Sequence, residues 1–160
     1  MKEAFVNLIT QHQGLIFKVC NMYCRQGEDK EDLFQDILLQ LWRAYPSFNN
    51  GAKITTWMYR VALNTAISRL RKHKTNQPTE RLNDEAFKIE MVNDEESVAR
   101  STLMYAAIKQ LTDIERAITM LYMDNYSYRE IAEITGITES NVGYKINQIK
   151  LKLKNLVNPK

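Results

Sequence analysis

The chain has 160 residues, of which 44% are apolar and 26% are charged, as is usual for a globular protein of one domain or two small ones. Only 5 glycines and 3 prolines are present, too few for the turns of a β-sandwich, a barrel or a low-complexity chain. No apolar run approaches the roughly 18 residues that span a membrane, and the first residues carry no signal-peptide core. Two cysteines cannot build a disulfide framework. The sequence therefore predicts a cytoplasmic protein without membrane insertion.

The formal net charge of +3 is unevenly distributed along the chain. Residues 1–74 carry 11 basic and 6 acidic side chains, residues 75–101 carry 3 and 7, and residues 102–160 carry 8 and 6. No acidic residue lies between Asp36 and Glu80. Two basic blocks on either side of an acidic stretch fit two polyanion-binding modules and a linker, or two helix faces that point into solvent.

Helical spacing of apolar residues dominates the N-terminal part, where no strand pattern occurs. Residues 4–24 predict one helix, and Asp29 is expected to cap a second helix over residues 30–44. Pro46 ends that helix, and turn residues predict a loop over 46–53. The acidic start of the second helix suits either the helix dipole or a protein-docking surface.

A long third helix, from about residue 56 to residue 72, has two different faces. The residues that share its polar face at 100° per residue are Trp57, Arg60, Asn64, Ser68 and Arg71. Phe48, Lys53 and Tyr59 are expected to lie nearby. Bases stack on aromatic rings while Lys and Arg follow phosphates, so this face suits single-stranded nucleic acid, and the Asn64 amide can read a base edge. Core packing is the alternative role for the tryptophan.

Residues 75–101 are acidic and lack sustained periodicity, which is typical of a linker. Beyond them, capping boxes begin at Thr112 and Ser127, and Thr138 can cap a further helix. The helices predicted in this part lie near residues 102–110, 113–124, 128–135 and 139–157. The sequence therefore predicts an all-α protein in which two small helical domains, residues 1–74 and 102–160, are joined by an acidic linker.

The segment from Ser127 to Lys152 has the form of a helix-turn-helix. Gly136 supplies the turn because a positive φ angle costs glycine little. The second helix would enter the major groove of duplex DNA and present base-contacting side chains. The candidates on that helix are Ser140, Asn141, Tyr144, Lys145 and Gln148. An ordinary helical hairpin with a solvated face is the alternative.

No catalytic or metal-binding set is found in the sequence. The two histidines, His12 and His73, are far apart, and the chain has no phosphate-binding glycine loop, no HExxH and no CxxC motif. Cys20 and Cys24 suit core packing better than a structural zinc site, which needs four ligands. We therefore expect neither enzymatic activity nor a cofactor.

Motifs from the two halves of the chain occur together, in this order, in one family. The first half carries Asp32-Leu33-Phe34-Gln35-Asp36 and then Trp-x-x-Arg-x-Ala-x-Asn at residues 57–64, and the second half carries the segment 126–132 and Asn141-Val142. Over nearly its whole length the chain resembles the bacterial RNA polymerase sigma factors of the compact extracytoplasmic-function group, in the sigma-70 family.

The resemblance implies a transcription initiation factor in which residues 1–74 form region 2 and residues 102–160 form region 4, which reads the minus-35 element. The residues implied to bind core RNA polymerase are Asp32, Leu33, Gln35 and Asp36. The residues implied to hold the melted minus-10 strand are Phe48, Lys53, Trp57, Arg60, Asn64 and Arg71. Partners implied by the family are core RNA polymerase, promoter DNA and an anti-sigma factor, and the linker would thread toward the RNA exit path.

The recognition helix departs from the pattern of many family members. Tyr144 and Lys145 stand where a Ser-Arg pair is frequent, and Gln148 stands where arginine is common. Because arginine makes the commonest bidentate contact to guanine, we expect fewer guanine contacts here. Gly143 is also a weak helix former, about 1 kcal/mol below Ala.

Two other functions fit part of the pattern. A stand-alone helix-turn-helix regulator would bind an operator tightly without polymerase, but it leaves the acidic and the basic aromatic helices without a role. A pure protein-interaction module would show no salt-dependent affinity for DNA, contrary to what the basic blocks predict.

Overall fold

The computed structural model describes residues 2–24, 27–49, 51–76, 103–104 and 106–157. The chain divides into two compact units, Met1–Arg81 and Leu82–Lys160. Regular structure in the described residues is helical throughout, which confirms the all-α prediction. The predicted acidic linker lies outside the described residues from residue 77 onward.

The described residues of the first unit form three α-helices and a short 3₁₀ turn. They are α1 (Lys2–Tyr23), α2 (Gly27–Ala44), the 3₁₀ turn (Tyr45–Ser47) and α3 (Ile54–Asn76). Pro46 lies in the 3₁₀ turn, so the α-helix ends before it, as predicted. α3 continues through Asn76, so the first two residues of the predicted linker are helical.

The start of α2 corrects one sequence prediction. The helix begins at Gly27, so the expectation that Asp29 caps it is wrong, and Asp29 lies inside the first turn. A carboxylate is also favourable at that place, because the N-terminal end of the helix dipole is positive. The first helix is interrupted at His12, whose φ of −120° and ψ of 17° are not helical.

The core of the first unit is built from the apolar faces of its three helices. The fully buried side chains include Ile16, Val19, Leu33, Ile37, Leu41, Met58 and Ala62. Burial on this scale drives the association of the helices, because each large aliphatic side chain removed from water contributes about 1.5–3 kcal/mol. α2 and α3 are thereby held side by side, and this places the acidic surface of one next to the polar surface of the other.

The second unit has helical residues at 103–104 and 106–109, followed by three further helices. They are α4 (Asp113–Met123), α5 (Tyr128–Thr135) and α6 (Glu139–Val157). The buried side chains that join them include Ile118, Leu121, Ile131, Val142 and Ile146.

The predicted helix caps of the second unit are all formed. Thr112 and Ser127 each make a reciprocal capping box with the glutamate three residues later. The Thr138 hydroxyl accepts from the Asn141 backbone N–H at 3.1 Å. Gly136 follows α5 with a φ of +81°, a conformation that glycine adopts at little cost. These local signals fix the helix-turn-helix that the sequence predicts.

Candidate nucleic-acid interface

A cluster of aromatic rings lies where the loop after α2 meets the start of α3. The rings of Phe48 and Trp57 are 4.9 Å apart, and those of Tyr45 and Trp57 are 6.3 Å apart. Trp57 is half-buried, so it packs against its neighbours and still exposes part of its ring. Both roles considered for this tryptophan, packing and stacking on a base, are compatible with that position.

The exposed face of α3 continues from this cluster. Asn64, Ser68 and Arg71 are exposed and Arg60 is half-buried, whereas the opposite face is buried. Tyr59, which is expected near the polar face, is only 2% exposed, so its side chain is not part of that face. Its position, two residues after Trp57, turns it into the core.

One side of the first unit carries a polar depression between α2 and α3, with a volume of about 490 Å³. Its lining residues are Asp36, Gln40, Asn64, Thr65, Ser68, Arg69 and Lys72. Asp36 is a predicted polymerase contact and Asn64 a predicted strand contact. The structure therefore brings members of the two predicted sites to the same depression.

An ion pair crosses from α3 to α2 at this depression. The Arg69 guanidinium donates to the Asp36 carboxylate at 2.5 Å and lies 3.8 Å from the Asp32 carboxylate. Arg69 was missed as a site residue, although it follows the Asn64 motif by five positions. The sequence signal is limited to the spacing of Asp32 and Asp36, which puts two carboxylates on one helix face but does not identify Arg69 as their partner.

Three of the four predicted polymerase contacts form the acidic surface of α2. Asp32, Gln35 and Asp36 are exposed. Leu33 is 1% exposed and lies in the core. Because its side chain points 100° away from that of Asp32, it packs α2 against the other helices and is not part of the surface.

A second depression, of about 560 Å³, lies between α1 and the loop before α3. Its lining residues are Ala4, Asn7, Leu8, Gln11, Tyr45, Pro46, Phe48 and Ile54. Phe48 therefore borders this depression on one side and contacts the Trp57 ring on the other. Lys53 is exposed directly before α3.

The helix-turn-helix of the second unit exposes the predicted base-contacting face of α6. Ser140, Asn141, Tyr144 and Gln148 are exposed, and Lys145 is half-buried. Gly143 lies where a Cβ atom would meet the Tyr128 ring at 3.4 Å, so the two helices approach closely there. The face is presented by the burial of Val142, Ile146 and Ile149 on the other side.

Two of the lysines on α6 make contacts inside the unit. Lys152 Nζ donates to the Glu115 carboxylate at 2.6 Å, and Lys150 Nζ lies 5.0 Å from the centre of the Tyr122 ring. Burial by itself would raise the pKa of Glu115, but hydrogen bonds from Lys152 and Thr112 outweigh it and hold that pKa below its usual value. The hydrogen bond with Tyr122 raises the pKa of Lys150.

The described residues contain no cluster of three or more His, Cys, Asp or Glu side chains that could hold a metal ion. Cys20 is buried, and its burial, together with Cys24, raises the pKa of its thiol to about 11. The Cys24 sulfur donates to the Asp29 carbonyl at 3.5 Å. These positions fit the packing role expected for both cysteines. Among the helices that the structure describes, none is long and apolar enough to cross a membrane.

Two family models match the chain. Sigma-70 region 2 matches residues 8–75, and sigma-70 region 4 matches residues 101–153. The first match begins in the second turn of α1 and covers the rest of the helices described in the first unit. The second match covers the helix-turn-helix. Both surfaces described above therefore lie within sigma-70 regions.

Curated relatives match over almost the whole chain. The ECF RNA polymerase sigma factor SigM of Mycobacterium tuberculosis is 27% identical over 159 residues, which are 98% of this chain and 78% of that protein. The ECF RNA polymerase sigma-E factor of Escherichia coli K12 is 26% identical over 170 residues, which are 99% of this chain and 88% of that protein.

Solved structures share the fold. The sigma factor RpoE from Bartonella quintana, in complex with the anti-sigma factor NepR, matches with a TM-score of 0.75 and 19% identity over 97% of each chain. CnrH in complex with the cytosolic domain of CnrY matches with a TM-score of 0.70 and 18% identity over 98% of this chain and 89% of that one. The chain belongs to the sigma-70 family as an extracytoplasmic-function sigma factor, a non-enzymatic transcription initiation factor that binds core RNA polymerase and directs it to promoters.

Proposed function

We propose that the two units divide promoter recognition between them. The region 2 domain, residues 1–74, binds core polymerase through α2 and holds the melted minus-10 strand on α3 and the loop before it. The region 4 domain, residues 102–160, reads the minus-35 element as duplex through α6. The acidic residues between them serve as the linker, and the protein works in the cytoplasm.

The two-sided character of α3 carries the minus-10 assignment. Its buried face is apolar, whereas its exposed face begins at Trp57, whose ring contacts that of Phe48 in a tilted arrangement, and continues through Asn64 to Arg71. Aromatic rings followed by amide and guanidinium groups provide base stacking, edge reading and phosphate contact in one line. A helix that only packed in a bundle would need none of these groups on its solvent side.

The acidic surface of α2 supports the polymerase assignment. Asp32, Gln35 and Asp36 are exposed on one side of a helix whose other side is buried. Such a surface complements a basic partner, and complementary charge favours both the rate and the specificity of docking. Arg69 partly neutralises this surface.

We also propose an anti-sigma factor as a partner of the chain. One of the solved structures named above holds the sigma factor RpoE with the anti-sigma factor NepR, and the other holds CnrH with the cytosolic domain of CnrY. The test is addition of the candidate protein to active holoenzyme. A protein that binds the chain at a fixed stoichiometry and suppresses transcription by the holoenzyme would be this partner.

The principal experiment combines core-polymerase binding with transcription from a library of promoters randomised in the minus-10 and minus-35 regions. We expect saturable binding and selective initiation with separate preferences in both regions. Replacing Asn64 should alter the base preference in the minus-10 region, and replacing Gln148 should alter the base preference in the minus-35 region. Selective initiation in which neither substitution alters any preference would contradict the proposed division of roles.

The stand-alone regulator is the second candidate function considered. It would predict tight binding of the free chain to duplex DNA and no effect of core polymerase. The region 2 match over residues 8–75 gives this candidate no support.

A further inference from the structure

Two side chains on the exposed face of α6 are bonded to each other. Gln148 Nε2 donates to the Tyr144 hydroxyl oxygen at 2.9 Å. The two residues are one helical turn apart, and Tyr144 is 62% exposed. Neither side chain is therefore an independent flexible group, because each restricts the orientation of the other.

This hydrogen bond determines what Gln148 offers to a base. A glutamine amide has two N–H donors and one carbonyl acceptor. With one donor given to Tyr144, the remaining donor and the carbonyl oxygen form an adjacent donor and acceptor pair. Adenine presents the complementary pair in the major groove, namely the N7 acceptor and the N6 donor.

Guanine does not complement the same arrangement. It presents two acceptors in the major groove, N7 and O6. One of them would face the Gln148 carbonyl oxygen, so only a single hydrogen bond could form. Two acceptors in contact also repel each other, and the base pair would leave a polar group unsatisfied.

The rest of α6 adds few groups that would favour guanine. The segment Glu139–Val157 contains no arginine. Lys152 is bonded to Glu115 inside the unit, and Lys150 lies over the Tyr122 ring. Lys145 is half-buried next to the pair and is available to a phosphate or a base.

We propose that Tyr144 and Gln148 act as one adenine-reading unit, so that this chain requires an A·T pair at one position of its minus-35 element. Gln148 makes the base contact, and Tyr144 is a positioning residue that holds its amide. The inference rests on the proposed function, because it requires that α6 reads the minus-35 duplex.

The test uses holoenzyme made from the full chain and core polymerase, on promoters randomised in the minus-35 region. Transcripts from the wild type, Gln148→Ala and Gln148→Arg are sequenced to obtain the base preference at each position. We expect one position at which the wild type prefers adenine by roughly 5- to 150-fold, the range of a good bidentate contact. Gln148→Ala should flatten that position alone, and Gln148→Arg should shift it to guanine.

Tyr144→Phe tests the positioning role, since it keeps the ring and removes the acceptor oxygen. We expect the adenine preference at the same position to fall several-fold, with other positions unchanged. A role of the ring in packing alone would leave the preference intact. Asn155→Arg is the matched control for added charge, because it places an arginine on the same helix about 10 Å further along. It should strengthen binding to all sequences without shifting that position.

The outcomes distinguish a failure of the adenine-reading inference from a failure of the proposed function. A guanine preference in the wild type at the Gln148-dependent position would overturn the inference, and so would minus-35 preferences that Gln148→Ala leaves unchanged. Selective initiation with no base preference anywhere in the minus-35 region would instead contradict the proposal that α6 reads it.

Discussion

Arg69 on α3 lies 2.5 Å from the carboxylate of Asp36 on α2, which joins the helix assigned to the melted strand to the helix assigned to the polymerase. The side chain of Arg69 is mostly buried, whereas that of Asp36 is half exposed. The pair thus lies at the edge of the unit, where a partner can reach it. It also borders the depression that contains Asn64, so a change at Asp36 can affect both surfaces.

We predict that Asp36→Arg weakens binding to core polymerase by about 10-fold or more, because it reverses charge on an exposed docking surface. It also opposes Arg69 and should lower the free energy of unfolding by about 1 kcal/mol, a small loss typical of exposed pairs. Affinity is measured by titration of core polymerase, and stability by urea denaturation.

Asp36→Asn separates the two effects. It removes the ion pair without adding repulsion, so we expect a loss of about 0.5 kcal/mol in stability and a smaller loss of polymerase affinity. Gln35→Arg also places an arginine on this surface but leaves the Asp36–Arg69 pair intact, so it should weaken polymerase binding without the same loss of stability. Normal polymerase affinity of Asp36→Arg would show that this face of α2 is not the docking surface.

We predict that Asn64→Ala impairs promoter opening or alters the minus-10 preference while polymerase affinity stays unchanged. The amide is exposed on α3, so its removal should change stability by no more than about 0.5 kcal/mol. Loss of a base contact should reduce discrimination by about 1–3 kcal/mol. Reactivity of unpaired thymines in the open complex measures the opening.

Gln13→Ala is the control for Asn64→Ala, since it removes an exposed amide from α1 of the same unit. It should leave opening and preference at wild-type values. Equal opening rates and equal preferences for Asn64→Ala and the wild type would show that this amide does not contact the strand.

Local signals explain how much of the fold was predictable. The hydroxyl groups of Thr112, Ser127 and Thr138 begin helices because they satisfy first-turn N–H groups, and this depends only on neighbouring residues. Gly136 ends α5 for an equally local reason, since it adopts a positive φ. The start of α2 was misplaced because a helix beginning at glycine carries no comparable signal.

Contacts between helices were not predictable in the same way. Arg69 and Asp36 are 33 positions apart, and Lys152 and Glu115 are 37 positions apart. Periodicity shows which face of a helix is polar but not which residue of another helix it meets. The burial of Leu33, in contrast, was predictable, because helical geometry alone turns its side chain away from Asp32 and into the core.

We predict that Gly136→Ala destabilises the second unit by about 1–2 kcal/mol, the cost of a left-handed conformation for a residue with a Cβ atom. Apart from its own chain neighbours, nothing lies within 4 Å of that Cβ position, so the loss is conformational and does not come from a clash with other parts of the fold. Gly136→Asn should lose less, because asparagine tolerates this region better. Thermal unfolding followed by circular dichroism measures both.

Gly14→Ala is the matched glycine control. It lies in α1, and its Cβ position is also free of contacts within 4 Å. Here φ is not positive, so alanine should raise stability by about 0.5–1 kcal/mol through its better helix propensity. A gain of stability at Gly136 as well would contradict the left-handed cap that ends α5.

We predict that Lys152→Met lowers the stability of the second unit at neutral pH by about 1–2 kcal/mol, because it leaves the buried Glu115 carboxylate without its charged donor. The side chain of Glu115 is 7% exposed, so water replaces that donor poorly. Lys154→Gln, at an exposed position on the same helix, should change stability by no more than about 0.5 kcal/mol.

The same pair predicts an acid dependence with a defined sign. The folded-state pKa of Glu115 is below its ordinary value of 4.5, so the stabilisation is complete above that value and is lost as the pH falls through the folded-state pKa. In the Lys152→Met variant the lysine no longer offsets the effect of burial, so the pKa of Glu115 rises. The free energy of unfolding of this variant should therefore fall less steeply below pH 4.5 than that of the wild type. Urea denaturation of both proteins across this pH range measures the difference, and parallel curves would mean that the Glu115–Lys152 contact does not stabilise the unit.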